Sequence, residues 1–276
     1  MTTTEWERDL VMNASDGIQA CTPMIASTVR RWPGKHKRMI TLRRAEARRH
    51  VRSGTQDTWL TFDAENGADP FSRGFRALEA LNEEMPISEM NLQPHTHEDI
   101  EVVTYVREGM LIHQNEAGTM GLLGPGEFQR TSASRKVRHR VINASLMNPA
   151  HVFQSCITPD GNEFLPGTEQ KRFPVVDREG VLRLVASPDG KDGSLRVQQD
   201  LRMYSSVLLV GHHMVHELRQ GRAAWLHVVK GRILLSGRVQ IEDHLLGTGD
   251  AAALEDERAV CFRAEVPSEV ILFDLA

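Results

Sequence analysis

Residues 94–109, PHTHEDIEVVTYVREG, hold the pattern that decides the interpretation of the whole chain. Two histidines, His95 and His97, precede a run rich in valine, isoleucine and tyrosine that ends in the turn signal Glu108-Gly109. Because side chains alternate between the two faces of a β-strand, the two imidazoles are expected on one side, close enough to bind a single metal ion. The stretch therefore predicts a strand that begins with a metal-ligating pair.

The composition is ordinary for a soluble globular protein, with 40% hydrophobic and 25% charged residues among 276. This length suits one large domain or two smaller ones. The formal net charge of −4 argues against nucleic-acid binding, which needs a basic surface. Basic residues cluster between Arg30 and Arg52, and we favour surface charges that acids elsewhere balance over a site for a polyanion.

The N-terminal sequence and the cysteines indicate the compartment. The first ten residues, MTTTEWERDL, lack the basic and apolar segments of a secretory signal, and no apolar run is long enough to cross a membrane. Cys21, Cys156 and Cys261 are far apart and in no metal-binding spacing, which indicates reduced thiols. We therefore predict a cytoplasmic protein without a membrane partner.

Short apolar runs separated by turn residues follow Thr58, at the spacing typical of an all-β sandwich or barrel. Residues 225–237, WLHVVKGRILLSG, repeat the hairpin pattern of residues 105–114, YVREGMLIHQ. The chain has no glycine-rich phosphate loop that would favour a nucleotide-binding fold. We predict an N-terminal arm at residues 1–37, a first barrel at 38–158, a proline- and glycine-rich crossing at 159–185 and a second barrel at 186–276.

A third histidine, His139, follows a Gly-Pro-Gly turn and a strand. A barrel brings distant strands face to face, so His139 can meet His95 and His97 in one cavity and complete an open site for a divalent transition ion. In an undistorted strand Glu101 has the same parity as the first two histidines. It is then a fourth ligand, an acceptor for an imidazole N–H, or a carboxylate at the barrel mouth. We interpret His113 as a hydrogen-bonded barrel histidine.

Other histidines lie in the second half, at His212, His213 and His216, where no HxH pair accompanies them. Strand alternation places His213 on the face opposite the other two. We interpret all three as structural or surface residues.

The segment at 95–109, with GPGEFQRTSAS at 124–134 and His139 behind it, resembles the two cupin motifs, and its particular sequence resembles the pirin family. The likeness continues through EQKRF at 169–173, SPDGKDGSLRVQQD at 187–200 and SEVILFDL at 268–275. It covers the chain from about residue 38 onward and is strongest for bacterial pirins with quercetinase-type activity.

The resemblance implies an all-β bicupin, two tandem barrels of the jelly-roll type, whose first barrel binds one metal through three histidines and a glutamate. The second barrel is generally metal-free. Carried onto this chain, the histidines are His95, His97 and His139. The implied cofactor is one divalent transition metal ion, iron being favoured over copper, nickel, manganese and zinc.

The chain departs from the family at the glutamate. The family has a His-Ser-Glu triplet, and here the triplet is His139-Arg140-Val141. Valine neither coordinates a metal nor accepts a proton. Either a three-histidine site persists, with Glu101 or water filling the gap, or the metal affinity falls so far that the barrel is often empty.

Two functions follow from the resemblance. The first is a quercetin 2,3-dioxygenase-like oxidoreductase, in which the metal chelates a small aromatic or enolic substrate and Glu101 is the candidate base. The second is a non-catalytic protein that senses metal or redox state, or regulates a protein partner, with Val141 marking lost catalysis.

Overall fold

The computed structural model describes residues 40–53, 56–86, 95–97, 99–115, 120–133, 137–145, 148–161, 166–237 and 243–276. For residues 95–97, 115 and 137–141 it describes the backbone alone. The predicted arm at residues 1–37 and Cys21 lie outside the described residues. The described chain is almost entirely β-structure, which confirms the predicted fold class.

The first barrel consists of a seven-stranded sheet that faces a four-stranded sheet. The seven-stranded sheet contains, in spatial order, β12 (Gly167–Arg172), β9 (Glu127–Ala133), β6 (Ile100–Glu108), β11 (His151–Ile157), β4 (Leu78–Pro86), β3 (Gln56–Leu60) and β2 (Arg49–Arg52). The four-stranded sheet contains β5 (His95–His97), β10 (Val137–Asn143), β7 (Leu111–Asn115) and β8 (Met120–Leu123).

The second barrel has the same arrangement of sheets. Its seven-stranded sheet contains β1 (Ile40–Arg43), β20 (Ala251–Leu254), β17 (Ala223–Lys230), β22 (Ser268–Leu275), β15 (Leu201–Leu208), β13 (Arg183–Ser187) and β14 (Leu195–Arg196). Its four-stranded sheet contains β16 (His213–Glu217), β21 (Ala259–Ala264), β18 (Arg232–Ser236) and β19 (Asp243–Gly247). The described chain also forms one short α-helix, α1 (Val175–Arg178).

Two strands near the predicted domain boundaries join sheets that the sequence did not indicate. β1 lies in the range predicted for the first barrel, but it pairs with β20 of the second barrel, with Ile40 opposite Leu254. β12 lies in the predicted crossing and pairs with β9 of the first barrel. The predicted range 38–158 therefore assigns β1 to the first barrel although its sheet belongs to the second, and the predicted boundary at 159 separates β12 from the first-barrel sheet.

The two barrels share one apolar core, formed where the outward faces of the seven-stranded sheets pack together. Trp225 lies at its centre without solvent exposure, and its ring contacts Phe62 and Phe71 edge-on at centroid distances of 4.8 and 5.1 Å. Burial of aromatic side chains on this scale is a main source of folding free energy. The interface between the barrels is thus built like a protein interior.

A buried polar group spans the same interface. Arg178 donates to the carboxylate of Glu269 at 2.9 Å and to the hydroxyl of Tyr105 at 3.1 Å. The Tyr105 hydroxyl in turn donates to Glu269. Each charge therefore has a partner, as a buried ion pair requires.

Candidate metal centre

A cavity lies inside the first barrel, between its two sheets. It is lined by Val102, Thr104, Gln129 and Thr131 from the large sheet and by Leu111, His113 and Leu123 from the small sheet. On β6 the intervening residues Val103 and Tyr105 lie in the core shared by the barrels. One face of β6 therefore lines the cavity, and the other packs against the second barrel.

Backbone pairing brings the three predicted histidine positions together on two neighbouring strands. His95 of β5 lies directly opposite His139 of β10, and His97 lies two residues further along β5. Directly opposed residues of an antiparallel pair share one face of the sheet, with Cβ atoms roughly 4.5–5.5 Å apart. The three positions therefore form a compact group on one face.

The pairing of β10 with β7 identifies that face. Val141 is opposite His113, and Asn143 is opposite Leu111. His113 and Leu111 line the cavity. Because His139 stands two residues before Val141 on the same strand, its position belongs to the cavity side. By the same register, so do the positions of His95 and His97.

This donor set fits a divalent transition ion, since imidazoles are ligands that iron, nickel, copper and zinc all accept. Among the side chains that the structure describes, no group of three or more His, Cys, Asp or Glu is placed to hold a metal. The side chains of His95, His97 and His139 are outside that set. The fit therefore rests on backbone register and on the chemistry of imidazole.

Glu101 lies on the other side of the large sheet, contrary to prediction. The strand is interrupted between His97 and Glu101, because Asp99 has a φ of 53° and β5 and β6 belong to different sheets. The carboxylate of Glu101 is fully buried and accepts hydrogen bonds from Ser132 Oγ at 2.6 Å and from the backbone N–H of Gln198. The structure therefore corrects the expectation that Glu101 faces the metal position as ligand or base.

Glu84 is an acidic residue of the barrel interior that sequence reasoning missed. Gln154 Nε2 donates to its carboxyl at 3.3 Å, and Gln154 is the direct cross-strand partner of the cavity residue Thr104. Burial raises the pKa of Glu84 to about 7. The available signal was the pair Glu83-Glu84 within one strand, because adjacent strand residues face opposite sides.

Two of the second-barrel histidines, His213 and His216, lie on one strand. His213 is exposed on β16, and His216 Nε2 contacts Asp274 Oδ2 at 2.9 Å. The two side chains lie on opposite faces of the strand, as the alternation predicted.

The basic cluster is balanced by acids over its described part. Each ion pair joins one arginine of the cluster to an acid elsewhere in the chain, as Arg43–Asp69, Arg44–Asp250, Arg48–Glu83, Arg49–Asp63 and Arg52–Asp57. The acids balance these arginines as predicted, but the Arg43–Asp69 and Arg48–Glu83 pairs are buried and are not the surface charges that the sequence suggested.

Two tandem barrels, the first with histidine positions on its cavity side, define the class of the bicupins. Comparison with family models agrees: the pirin model matches residues 44–157, and the model of the quercetinase C-terminal cupin domain matches residues 184–275. The chain belongs to the pirin family.

Individual relatives are similar over most of the chain. Quercetin 2,3-dioxygenase of Escherichia coli K12 is 38% identical over 237 residues, which are 86% of this chain and 99% of that protein. A pirin-like protein of Caulobacter vibrioides is 28% identical over 81% of this chain and 95% of its own length. The crystal structure of the bacterial pirin YhhW from Escherichia coli in complex with nickel(II) matches with a TM-score of 0.78 at 38% identity, covering 86% of this chain and 99% of that one.

In the described part of the chain, no helix has the length and apolar character needed to cross a membrane.

Proposed function

We propose that this chain is a metal-dependent dioxygenase that acts on a flavonol of the quercetin type. The observation that carries the proposal is the register that places positions 95, 97 and 139 on the cavity side of the first barrel. The similarity to a quercetin 2,3-dioxygenase over nearly its whole length supports the same reaction class.

His95, His97 and His139 would hold one divalent transition ion. Iron is favoured by the family resemblance, and a related bacterial pirin has been crystallised with nickel(II). When bound, the ion would supply a Lewis acid for the ionised substrate hydroxyl and a binding point for dioxygen. The compartment is proposed to be cytoplasmic.

The cavity walls combine apolar and hydroxyl side chains, the two kinds of group that a hydroxylated aromatic substrate would contact. Apolar side chains on both sheets, Val102, Leu111 and Leu123, offer surfaces for the rings. Thr104 and Thr131 also line the cavity, and their hydroxyls would be hydrogen-bonding groups for the hydroxyl and carbonyl groups of a flavonol. These residues would orient the substrate and keep bulk water from the reacting carbon.

A flavonol hydroxyl must lose a proton before it binds a metal well. Neither Val141 nor Glu101 can take that proton, the first by its chemistry and the second by its position. The carboxyl of Glu84 accepts a hydrogen bond from Gln154, the cross-strand partner of the cavity residue Thr104, and burial raises the pKa of Glu84 to about 7. We assign the proton acceptor to Glu84.

Metal analysis and oxygen uptake with quercetin test the proposal. The purified full chain, loaded with Fe²⁺ or Ni²⁺, should bind one ion and consume oxygen as the flavonol absorbance disappears. His95→Ala and His139→Ala should abolish both, whereas the exposed His213→Ala on the second barrel should change neither. A chain that binds no metal contradicts the proposal.

The second candidate, a non-catalytic metal- or redox-sensing protein that binds a protein partner, is favoured by Val141 alone. It predicts one bound ion without oxygen uptake. Val141→Glu separates the two functions, because a gain of uptake from zero in this variant would show that catalysis was lost at this position.

A further inference from the structure

We propose that His227 is an acid-sensitive switch in the interface between the two barrels: the shared core stays packed while the imidazole is neutral and opens when the imidazole takes up a proton. The residue lies on β17 of the second barrel, two positions after Trp225. The proposed dioxygenase reaction does not use it. The inference therefore does not depend on the metal centre.

His227 projects from the second barrel toward the first. Side chains alternate along a strand, so His227 shares the face of Trp225, which lies at the centre of the shared core. Its ring packs edge-on against Phe153 of β11 in the first barrel, at a centroid distance of 5.8 Å. The imidazole is thus enclosed between the two large sheets.

The surroundings of the ring are suited to its neutral form. His227 has no solvent exposure, and within the described part of the chain neither ring nitrogen has a hydrogen-bond partner. Its direct cross-strand partners, Ala251 and Ile271, have apolar side chains. An imidazolium there would lose its hydration without replacement, which costs far more than burying the neutral ring.

The charged groups around His227 are already paired with one another. The ring is influenced by Arg48 and Glu83 of the first barrel and by Asp250 of the second. Each carboxylate has an arginine partner, at 2.7 Å for Arg48–Glu83 and at 3.0 Å for Arg44–Asp250. A proton on His227 would therefore place a further cation beside Arg48 without a carboxylate of its own.

His151 provides a contrast on the same aromatic ring. It also packs against Phe153, at a centroid distance of 5.1 Å, but its Nε2 lies 2.8 Å from Glu83 Oε1. A carboxylate directly faces this histidine, whereas His227 has apolar neighbours. Of these two interface histidines, His227 is therefore the one whose protonation conflicts with the closed core.

The ionisation of His227 agrees with this geometry. Burial lowers its pKa from 6.5 to about 3, and the charge of Arg48 acts in the same direction. The unfolded chain therefore binds this proton more tightly than the folded chain. The stabilisation from neutral His227 is complete above pH 6.5 and is lost as the pH falls toward 3.

Glu84 offsets the effect over part of this range. Its raised pKa makes the fold more stable as the pH falls from about 7 to 4.5. Below that range the contribution of Glu84 is constant, whereas His227 and Glu83 both continue to lose stabilisation. We therefore expect the shared core of wild type to open below about pH 4.5.

Urea unfolding of the full chain at pH 7 and pH 5 tests the proposal. The ratio of the unfolding constants of wild type and His227→Leu isolates His227, because both chains keep Glu83 and Glu84. This ratio should be roughly 25-fold larger at pH 5 than at pH 7. The control His213→Leu, at an exposed position of β16, should change the ratio by less than about twofold. A ratio for His227→Leu that is equal at both pH values would overturn the proposal.

Two further measurements locate the effect. In folded wild type, the NMR signal of the His227 ring should keep its neutral shift from pH 7 to pH 5, and this measurement needs no variant to fold. A ring that titrates near pH 6.5 would overturn the proposal. At pH 4 the backbone amides of β11 and β17 should exchange hydrogen faster in wild type than in His227→Leu. Equal exchange in the two chains would also contradict the switch.

Discussion

Glu83 and Glu84 are adjacent in β4, and their pKa values shift in opposite directions. Because adjacent strand residues face opposite sides of the sheet, the two carboxyls lie in different surroundings. Burial opposes the charged form of Glu83, but hydrogen bonds from His151 at 2.8 Å and from Arg48 at 2.7 Å lower its pKa to about 2. Glu84 faces the barrel interior without a cation among the contacts that shift its pKa, and burial raises that pKa to about 7. Two identical side chains therefore differ because their faces differ.

The raised pKa of Glu84 predicts a pH-dependent stability. The folded state binds the Glu84 proton more tightly than the unfolded state, so its contribution is complete below pH 4.5 and is lost as the pH rises through 7. Glu84→Gln removes this ionisation and should be more stable relative to wild type at pH 8 than at pH 5, by about 2.5 kcal/mol. Urea unfolding at the two pH values measures the difference. An equal difference at both pH values would contradict the placement of Glu84.

Glu101→Gln tests the corrected role of Glu101. The variant weakens the hydrogen bonds to Ser132 and to the backbone of Gln198, so the free energy of unfolding should fall by about 1–3 kcal/mol. The nickel affinity should stay within about twofold of wild type, because the carboxylate faces away from the cavity. A large loss of affinity with unchanged stability would restore the original prediction that Glu101 is a ligand.

The elements divide into those that local sequence determines and those that only the assembled fold determines. The hairpins at Glu108-Gly109 and Lys230-Gly231 were predicted, because a turn residue with positive φ between apolar runs is a local signal. The sheets to which β1 and β12 belong were not predicted, because the sequence of a short edge strand does not indicate which strand it pairs with. The predicted orientation of Glu101 was wrong for a related reason. The chain breaks between β5 and β6, so the alternation of side chains counted from His95 does not continue to Glu101.

Gly109 forms the turn between β6 and β7, and β7 pairs with β10, the strand that carries His139. The φ of Gly109 is +79°, and a Cβ there would lie 2.7 Å from Cα of Ala150. Gly109→Ala should lower stability by more than about 1 kcal/mol and also weaken nickel binding. Gly231→Ala, at the matching turn of the second barrel, is the control: it should lower stability and leave the nickel affinity unchanged. Equal nickel affinity in both variants would argue that the pairing of β7 with β10 does not position His139 for metal binding.

At the scale of the whole molecule, the two barrels form one packed body. Their tandem arrangement was predictable from sequence, since hairpin signals are local, whereas the three-histidine centre stays a prediction. The shared core was not predictable, because Trp225 and Phe62 are far apart in the chain and meet only when both large sheets are formed. Strand β1 adds to this union, because it precedes the first barrel in the chain and pairs with β20 of the second barrel.

Trp225→Ala tests this union. Removing the ring from the shared core should lower the free energy of unfolding by about 3–5 kcal/mol. Because both barrels pack on Trp225, calorimetry should show one transition, shifted as a whole to lower temperature. Two separate transitions, with only the second barrel destabilised, would contradict a common core.

The most direct test of the central claim is a crystal structure of the full chain grown with Ni²⁺, with anomalous scattering recorded at the nickel edge. We predict one strong peak inside the first barrel, at about 2.1 Å from a ring nitrogen of each of His95, His97 and His139. A barrel without a peak, or a peak that these three imidazoles do not surround, would contradict the claim.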